Sequence, residues 1–289
     1  MHSHDTIEAF RAGLARWAAS LPRDLPWRDT RDPWAILVSE TMLQQTQVAR
    51  VVPKYVAFLE RFPDARCAAS APVGAIVDAW AGLGYNRRAV LLHGAASAVV
   101  RDHDGSFPSS LGELLALPGI GPYTARAILT FAFERDTAVL DTNVARVLAR
   151  QRGRALRARE AQALADELVP PARGWWWNQA MLDLGALVCT KRSPQCSDCP
   201  VRATCHWRGE GPDPAIGSAG VGVAQSRFAG SDRQGRGRLV DALRLAPVHD
   251  DELALVMGWP LDPVRAAQVA ATVVADGLAV RSEQTYSLP

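Results

Sequence analysis

Four of the five cysteines lie within seventeen residues, and thiolates at that density are typical of a metal site. These four are Cys189, Cys196, Cys199 and Cys205, separated by six, two and five residues. Short loops cannot bury four thiols as ordinary apolar packing. Either a [4Fe–4S] cluster or a four-thiolate zinc ion accepts such a ligand set. Cys67 lies far from the others in a helical stretch, and we expect it to be a buried structural thiol.

Two glycines, Gly119 and Gly121, fall between two helical stretches in the segment Leu117–Gly121. Glycines let the backbone turn tightly and bring its amides close to a ligand. The N-terminus of the helix that follows carries a partial positive charge that favours a phosphate oxygen. This turn could therefore bind a DNA phosphate, although an ordinary connection between two helices has the same pattern.

Two carboxyl groups stand where acid or electrostatic chemistry could use them. Asp141 lies in Val139–Asn143, just before a predicted helix, so its simplest role is to cap that helix. Glu40 lies in Ser39–Val48 between apolar neighbours. A partly buried carboxylic acid of raised pKa can act as a general acid. The alternative for Glu40 is an exposed position on a helix, where most glutamates lie.

The elements that position these residues are predicted to be helices. Apolar residues recur with helical spacing in ten stretches before residue 190, and alternating strand-like runs are nearly absent before residue 205. The stretches are Ile7–Leu21, Ala35–Thr46, Val48–Phe62, Val73–Leu83, Ala89–Val100, Leu111–Leu117, Tyr123–Phe133, Asn143–Ala149, Glu160–Leu168 and Trp175–Val188. The first two-thirds of the chain is therefore predicted to be an all-α body.

The periodic pattern stops at Gly209–Val223, which is rich in glycine, proline and small residues and is predicted to be a linker. Beyond it we expect helices at Arg238–Ala246, Asp250–Met257 and Asp262–Ala275, and strands at Leu278–Arg281 and Thr285–Leu288. Three helices followed by a small hairpin are the outline of a winged-helix module. That outline is common and does not identify a ligand.

The composition is that of a globular protein and points to no partner by itself. Apolar residues make up 48% of the 289 residues, and the net charge of +2 does not indicate nucleic-acid binding. No apolar run approaches the roughly 18 residues that a membrane-spanning helix needs. The N-terminal residues do not resemble a secretory signal, so we expect a cytosolic protein. Only Lys54 and Lys191 are lysines, which leaves lysine-dependent chemistry little room.

The hairpin, the later aspartate and the four-cysteine loop, in that order, resemble the core of the helix-hairpin-helix, iron–sulfur DNA glycosylase superfamily. The resemblance covers roughly Asp5 to His206. Within that superfamily, the segment Ser39–Val48 resembles the signature of the MutY-type enzymes, which excise adenine mispaired with 8-oxoguanine. The six–two–five spacing of the cysteines is similar to the loop that holds a [4Fe–4S] cluster in these families, and Lys191 and Arg192 within it could face phosphate.

This resemblance implies a set of site residues. Asp141 would stabilise positive charge on the sugar of an extruded nucleotide, Asn143 would orient Asp141, and Glu40 would protonate the adenine. Substrate contacts would come from Trp27, Arg28, Leu43, Gln45, Thr46, Leu83, Tyr85 and Asp183, with Tyr85 as the aromatic inserted into the base stack. Core packing is the alternative role for Trp27, Leu43 and Tyr85. Gly119 and Gly121 would bind phosphate, and the four cysteines would hold the cluster.

The resemblance also implies a division of the chain. A six-helix barrel with the hairpin would span residues 28–136, and an iron–sulfur domain would combine residues 1–27 and 137–208. A linker at 209–229 would lead to a winged-helix-like module at 230–289. Many relatives instead carry a Nudix-like domain that checks for 8-oxoguanine, so we expect recognition of the opposite base to be either looser or built differently here. The segment Phe228–Gly237 could be a loop that contacts DNA through arginines and amides.

The resemblance further predicts a monomeric, monofunctional enzyme acting on duplex DNA that contains A:8-oxoguanine or A:G pairs, with no membrane partner. Bifunctional relatives use a lysine just after the hairpin glycines to form a Schiff base. Here that position is Tyr123, which we include among the catalytic candidates. Two alternatives remain: a glycosylase that removes thymine or uracil opposite guanine, and a non-catalytic iron–sulfur protein that binds DNA through its winged helix.

Overall fold

The computed structural model describes residues 4–21, 24–221 and 227–289, and these residues fold mainly as α-helices. The first eight helices are α1 His4–Ala18, α2 Pro33–Leu43, α3 Val48–Arg61, α4 Ala65–Ser70, α5 Val73–Ala79, α6 Arg87–His103, α7 Leu111–Ala116 and α8 Pro122–Phe131. The others are α9 Thr142–Arg152, α10 Ala158–Leu168, α11 Gly174–Asp183, α12 Asp232–Leu243, α13 Leu253–Met257 and α14 Pro263–Ala275. The strands are β1 Val248–His249, β2 Val280–Ser282 and β3 Thr285–Ser287. The predicted all-α class is confirmed.

The chain divides into two compact units. Unit 1 contains residues 1–24 and 122–224, and unit 2 contains residues 25–121 and 225–289. Unit 1 therefore includes α1 and α8–α11, whereas unit 2 includes α2–α7, α12–α14 and the strands. No helix among the described residues is both long and apolar enough to span a membrane.

Unit 1 is built around one apolar core to which α1, α9, α10 and α11 contribute. Phe10 and Leu14 of α1 pack in this core, and the ring of Phe10 lies 5.7 Å from that of Trp177. Residues 209–221, which were expected to be part of a linker, pack against the rest of this unit. Among them Ala215 is buried, and the Ser218 hydroxyl accepts a hydrogen bond from the Leu156 amide. These contacts fix residues 209–221 although they form turns only.

The core of unit 2 is a cluster of large rings packed among α2, α3 and α5. Phe58 contacts Phe62 and Trp80 through ring centroids 5.1 and 6.1 Å apart. Trp34 is also buried, and its indole N–H donates to the Phe62 carbonyl at 2.9 Å. Because these rings pack against one face of α2, they fix the position of the whole helix.

The C-terminal module of unit 2, residues 228–289, has the expected three helices and a small sheet. The sheet has three antiparallel strands in the order β1-β3-β2, because Val248 and His249 add a short strand that the sequence pattern did not predict. The module packs against the rest of unit 2. The Arg244 guanidinium donates to the Val77 carbonyl at 3.0 Å, and the Gly74 amide donates to the Pro289 carbonyl at 2.7 Å.

The prediction that Phe228–Gly237 is a loop is wrong beyond Ser231, because α12 begins at Asp232. Gly235 is buried in this helix. A Cβ atom at Gly235 would stand 2.2 Å from the Trp259 ring. The glycine therefore allows close helix packing, and the arginines of this segment lie on a rigid element.

Candidate active site

Asp141 begins α9 of unit 1 and does cap this helix. Its Oδ1 atom accepts from the backbone amides of Asn143 and Val144 at 2.8 and 2.7 Å, and its Oδ2 atom accepts from the Asn143 side-chain amide at 2.8 Å. The carboxyl is only partly exposed. Burial raises its pKa above the ordinary value, although the three hydrogen bonds act in the opposite direction. The capping geometry fixes both oxygen atoms, so the carboxylate is preorganised.

A hydrogen-bond chain connects Asp141 to the first cysteine of the four. Asn143 accepts from the Arg146 guanidinium at 2.9 Å. Arg146 also donates to the carbonyls of Gly185 at 2.6 Å and Cys189 at 2.7 Å. Arg146 was not among the expected site residues, although its position one helical turn after Asn143 was a usable signal. This set of hydrogen bonds holds the side-chain amide of Asn143 in the orientation that donates to Asp141.

The other expected site residues of unit 1 lie on α8 and α11. Tyr123 is half-buried in the first turn of α8. Asp183 is buried at the end of α11, just before a single π-helical turn at Leu184–Val188. Such turns are frequent at functional sites. Gly185 in this turn lies against Asn143, since a Cβ atom there would stand 2.6 Å from the Asn143 Cβ.

Glu40 lies on α2 of unit 2, where every residue from Trp34 to Met42 is buried. Glu40 is only 6% exposed, which excludes the exposed-helix alternative. Trp27 is also buried and meets Tyr55 edge-on, with ring centroids 5.5 Å apart. Leu43 and Arg28 are partly exposed. A buried position is the one that the general-acid role expected for Glu40 requires.

Arg88 holds together the two segments that carry Gln45 and Tyr85, although it was not among the expected site residues. It is buried, with its guanidinium over the rings of Trp80 and Tyr85 at 5.4 and 5.6 Å. It donates to carbonyls at both ends of this region, including Gln44 at 2.5 Å and Gly84 at 3.0 Å, and to the Thr46 hydroxyl. Burial lowers its pKa to about 10. No local pattern distinguishes this arginine from its neighbour Arg87.

The segment Gly82–Tyr85 presents one aromatic ring outward. Tyr85 is 44% exposed, so core packing does not explain it, whereas Leu83 is buried. Tyr85 and Gln45 both adopt left-handed backbone conformations, with φ of 47° and 59°. Such conformations cost free energy in residues other than glycine and cluster at functional sites. Thr46 donates to the Leu83 carbonyl at 3.3 Å and thereby ties the two segments together.

The predicted hairpin turn joins α7 to α8 in the chain. Gly119 has φ of 72°, and a Cβ atom there would lie 2.7 Å from the Cβ of Leu91. This position needs glycine for both reasons. Gly121 differs, because its φ is not left-handed and no described atom lies within 4 Å of where its Cβ would be. The tight turn therefore depends on Gly119, and Gly121 leaves open space beside the start of α8.

The four clustered cysteines line one cavity of unit 1. Arg150 is buried beside them and donates to the Cys189 sulfur at 3.3 Å and the Thr190 carbonyl at 2.7 Å. Burial raises the pKa of Cys199 to about 11. Among the described residues, no three metal-binding side chains are arranged to hold one metal ion. Four thiols around a common cavity do fit a larger group that takes one sulfur at each corner.

Cys67 is exposed, so the prediction of a buried structural thiol is wrong. It lies in the first turn of the short helix α4, whose capping residue Asp64 accepts from the Cys67 amide at 2.7 Å. A helical pattern does not specify which face of so short a helix is covered by the rest of the protein.

These features define an all-α protein in which a glycine hairpin, a helix-capping aspartate and a four-cysteine loop follow one another. The model of the HhH-GPD superfamily of base excision DNA repair proteins matches residues 38–171. The chain is 41% identical over 272 residues to a protein of Mycolicibacterium smegmatis named adenine DNA glycosylase, with 92% of this chain and 90% of that one covered. The chain therefore belongs to the HhH-GPD superfamily.

Two further comparisons bear on the activity. A Mycobacterium tuberculosis protein, also named adenine DNA glycosylase, is 39% identical over 289 residues, with 96% of this chain and 92% of that one covered. The solved structure of a thermostable thymine-DNA glycosylase superposes with a TM-score of 0.66 at 28% identity, covering 71% of this chain and 97% of that one. The resemblance to the glycosylase fold inferred from the motifs is confirmed.

Proposed function

We propose that this protein is a monofunctional DNA glycosylase that hydrolyses the N-glycosidic bond of adenine mispaired with 8-oxoguanine or guanine. The observation that carries the proposal is the geometry of Asp141, whose two oxygens are fixed by three hydrogen bonds in a partly buried position. The names of the two mycobacterial relatives, which match nearly the whole chain, support adenine as the base.

In the proposed reaction, the two carboxyls have different tasks. The Glu40 carboxylic acid gives its proton to a ring nitrogen of the extruded adenine, so that the glycosidic electron pair leaves with a neutral base. The Asp141 carboxylate stabilises the positive charge that develops on the sugar. A water oxygen then bonds to the anomeric carbon and gives up a proton to a carboxylate. Asn143 keeps Asp141 in position.

The substrate contacts implied by the family belong to this proposal. Trp27, Arg28 and Asp183 would surround the adenine, and Tyr85 would fill the space that it leaves in the base stack. The exposure of Tyr85 supports its assignment. Tyr123 stands where a Schiff-base lysine is needed, and a phenol cannot form that adduct. We therefore expect borohydride to leave the protein untrapped on abasic DNA, and efficient trapping would contradict monofunctionality.

We also propose that Cys189, Cys196, Cys199 and Cys205 hold a [4Fe–4S] cluster. The four thiols that line one cavity and the buried Arg150 beside them support this assignment. Bound there, the group would supply iron–thiolate bonds that cross-link the loop. Because serine cannot supply the thiolate that each iron needs, Cys199→Ser is expected to lose iron and cluster absorbance, whereas Cys67→Ser, at an exposed cysteine outside the loop, should retain both. One zinc ion per protein and no iron in the wild type would contradict the assignment.

One observation favours a second candidate. The solved structure compared above is a thymine-DNA glycosylase, so removal of thymine opposite guanine is the closest alternative. Single-turnover base release should be measured on duplexes with A:8-oxoguanine, A:G and T:G pairs. We expect free adenine from the first two and no thymine from the third. Faster release of thymine would overturn the proposal, and binding without any release would favour a non-catalytic DNA-binding protein.

A further inference from the structure

Unit 2 contains an open cleft that none of the proposed catalytic residues lines. Its volume is about 790 Å³. One wall comes from the turns that carry Gln45 and Tyr85, and the other comes from the C-terminal module. The module contributes Phe228 and residues of α12, including Arg233 and Arg236. Two segments far apart in sequence therefore form this single concave surface.

The cleft has a strongly basic lining. Its five arginines are Arg50, Arg87, Arg88, Arg233 and Arg236, and Asp241 is the only acid among the described residues that line it. Asp241 is itself paired with Arg244. Arg87 and Arg236 both contact Asp276, which holds their side chains in place but offsets only one positive charge. The excess of positive charge favours an anionic ligand.

Two exposed rings accompany this charge. Phe228 is 57% exposed and Tyr85 is 44% exposed. The Arg233 guanidinium connects them, since it lies 6.0 Å from the centre of the Phe228 ring and 3.4 Å from the Tyr85 hydroxyl. Guanidinium groups interleaved with exposed rings are the combination with which proteins bind nucleic-acid strands, through phosphates and stacking together. An acidic peptide would use the charge but not the planar surfaces.

We propose that this cleft binds the backbone of the DNA strand beside the mispair, so that the C-terminal module is part of the DNA-binding surface. The inference rests on the proposed function, because it takes duplex DNA as the substrate. Arg233 contacts a phosphate, and Phe228 covers a neighbouring sugar or base. Arg233 also donates to the Tyr85 hydroxyl and thereby helps to position the outward-facing ring.

The test measures binding separately from cleavage. The probe is a labelled duplex with 8-oxoguanine opposite 2′-fluoro-2′-deoxyadenosine, which resists hydrolysis because the fluorine disfavours positive charge on the sugar. Fluorescence anisotropy between about 50 and 200 mM salt gives the affinity and its salt dependence. Arg233→Gln should bind about tenfold more weakly and lower the slope of log K against log salt by about 0.9. Phe228→Ala should weaken binding about fivefold or more without changing the slope.

Arg281→Gln is the matched control, because Arg281 is an exposed arginine of the same module that does not line the cleft. It should keep the wild-type affinity and slope. The proposal is overturned if Arg233→Gln behaves like the wild type, or if Arg281→Gln loses as much. A wild type that binds this probe but releases no adenine from an ordinary A:8-oxoguanine duplex would contradict the proposed function alone. Full adenine release with unaffected cleft variants would contradict the cleft alone.

Discussion

Two carboxyls, one in each unit, are held in place in different ways. Asp141 accepts its hydrogen bonds from α9, which it caps. Glu40 instead lies within α2, in a run of residues that are all buried. Local hydrogen bonds therefore fix the Asp141 oxygens, whereas burial of the helix fixes the position of Glu40. The difference shows that one acid can be positioned by its neighbours in the sequence and another only by tertiary packing.

The largest expected effect comes from removing the charge at Asp141. Asp141→Asn keeps an oxygen that can cap α9 but removes the anion that stabilises the sugar cation. We expect the single-turnover rate of adenine release to fall by about 10³-fold or more, in line with the loss of one electrostatic stabiliser. Asp64→Asn is the matched control, since Asp64 caps α4 in the same manner outside the site. An Asp141→Asn variant with more than a tenth of the wild-type rate would contradict the proposed role of the Asp141 carboxylate.

A smaller loss is expected at Glu40. Glu40→Gln removes the proton donor but preserves the shape of the side chain, and general acids contribute about 10²–10⁴-fold to rates. We expect a decrease of about 10²-fold in adenine release. Glu60→Gln, an exposed glutamate of α3, should release adenine at the wild-type rate. If the two glutamine variants have equal rates, Glu40 is a structural residue only.

Asn143 is predicted to hold Asp141 in position. Asn143→Ala removes a donor to the carboxylate and an acceptor for Arg146. A hydrogen bond to a charged group contributes about 1.5–3 kcal/mol, so we expect the rate of adenine release to fall at least about tenfold. Thr142→Ala changes an exposed neighbour in the same helical turn and should have no effect. An unchanged rate in Asn143→Ala would show that the cap alone positions Asp141.

The smallest effect concerns stability and pH. Burial raises the pKa of Asp141, so the folded wild type loses stability as pH rises through the range between the ordinary and the raised value. Relative to the wild type, Asp141→Asn should therefore gain in unfolding midpoint as pH rises through that range. The hydrogen bond from the Cys67 amide lowers the pKa of Asp64, and Asp64→Asn should change in the opposite direction. Equal pH dependence of the two variants would contradict this contrast.

Much of this arrangement could be predicted because its signals are local. The glycine at 119, the cap at Asp141 and the cysteine spacing each follow from backbone geometry or ligand chemistry within a short segment. Arg88 and Arg150 could not be predicted in the same way, because their partners are carbonyls and sulfurs distant in the chain. The same reason explains Gly235, whose role depends on Trp259. The exposure of Cys67 also depends on packing that its own helix does not encode.

The central claim is that Glu40 and Asp141 act on the same glycosidic bond. Its most direct test is a double-mutant cycle on adenine release from an A:8-oxoguanine duplex under single-turnover conditions. The variants are Glu40→Gln, Asp141→Asn and the double variant. Groups that act as a unit in one step lose activity non-additively. If both carboxyls serve the same bond cleavage, the double variant should be no slower than Asp141→Asn alone. If the rate losses of the two single variants multiply in the double variant, or if Glu40→Gln keeps the wild-type rate, the claim is contradicted.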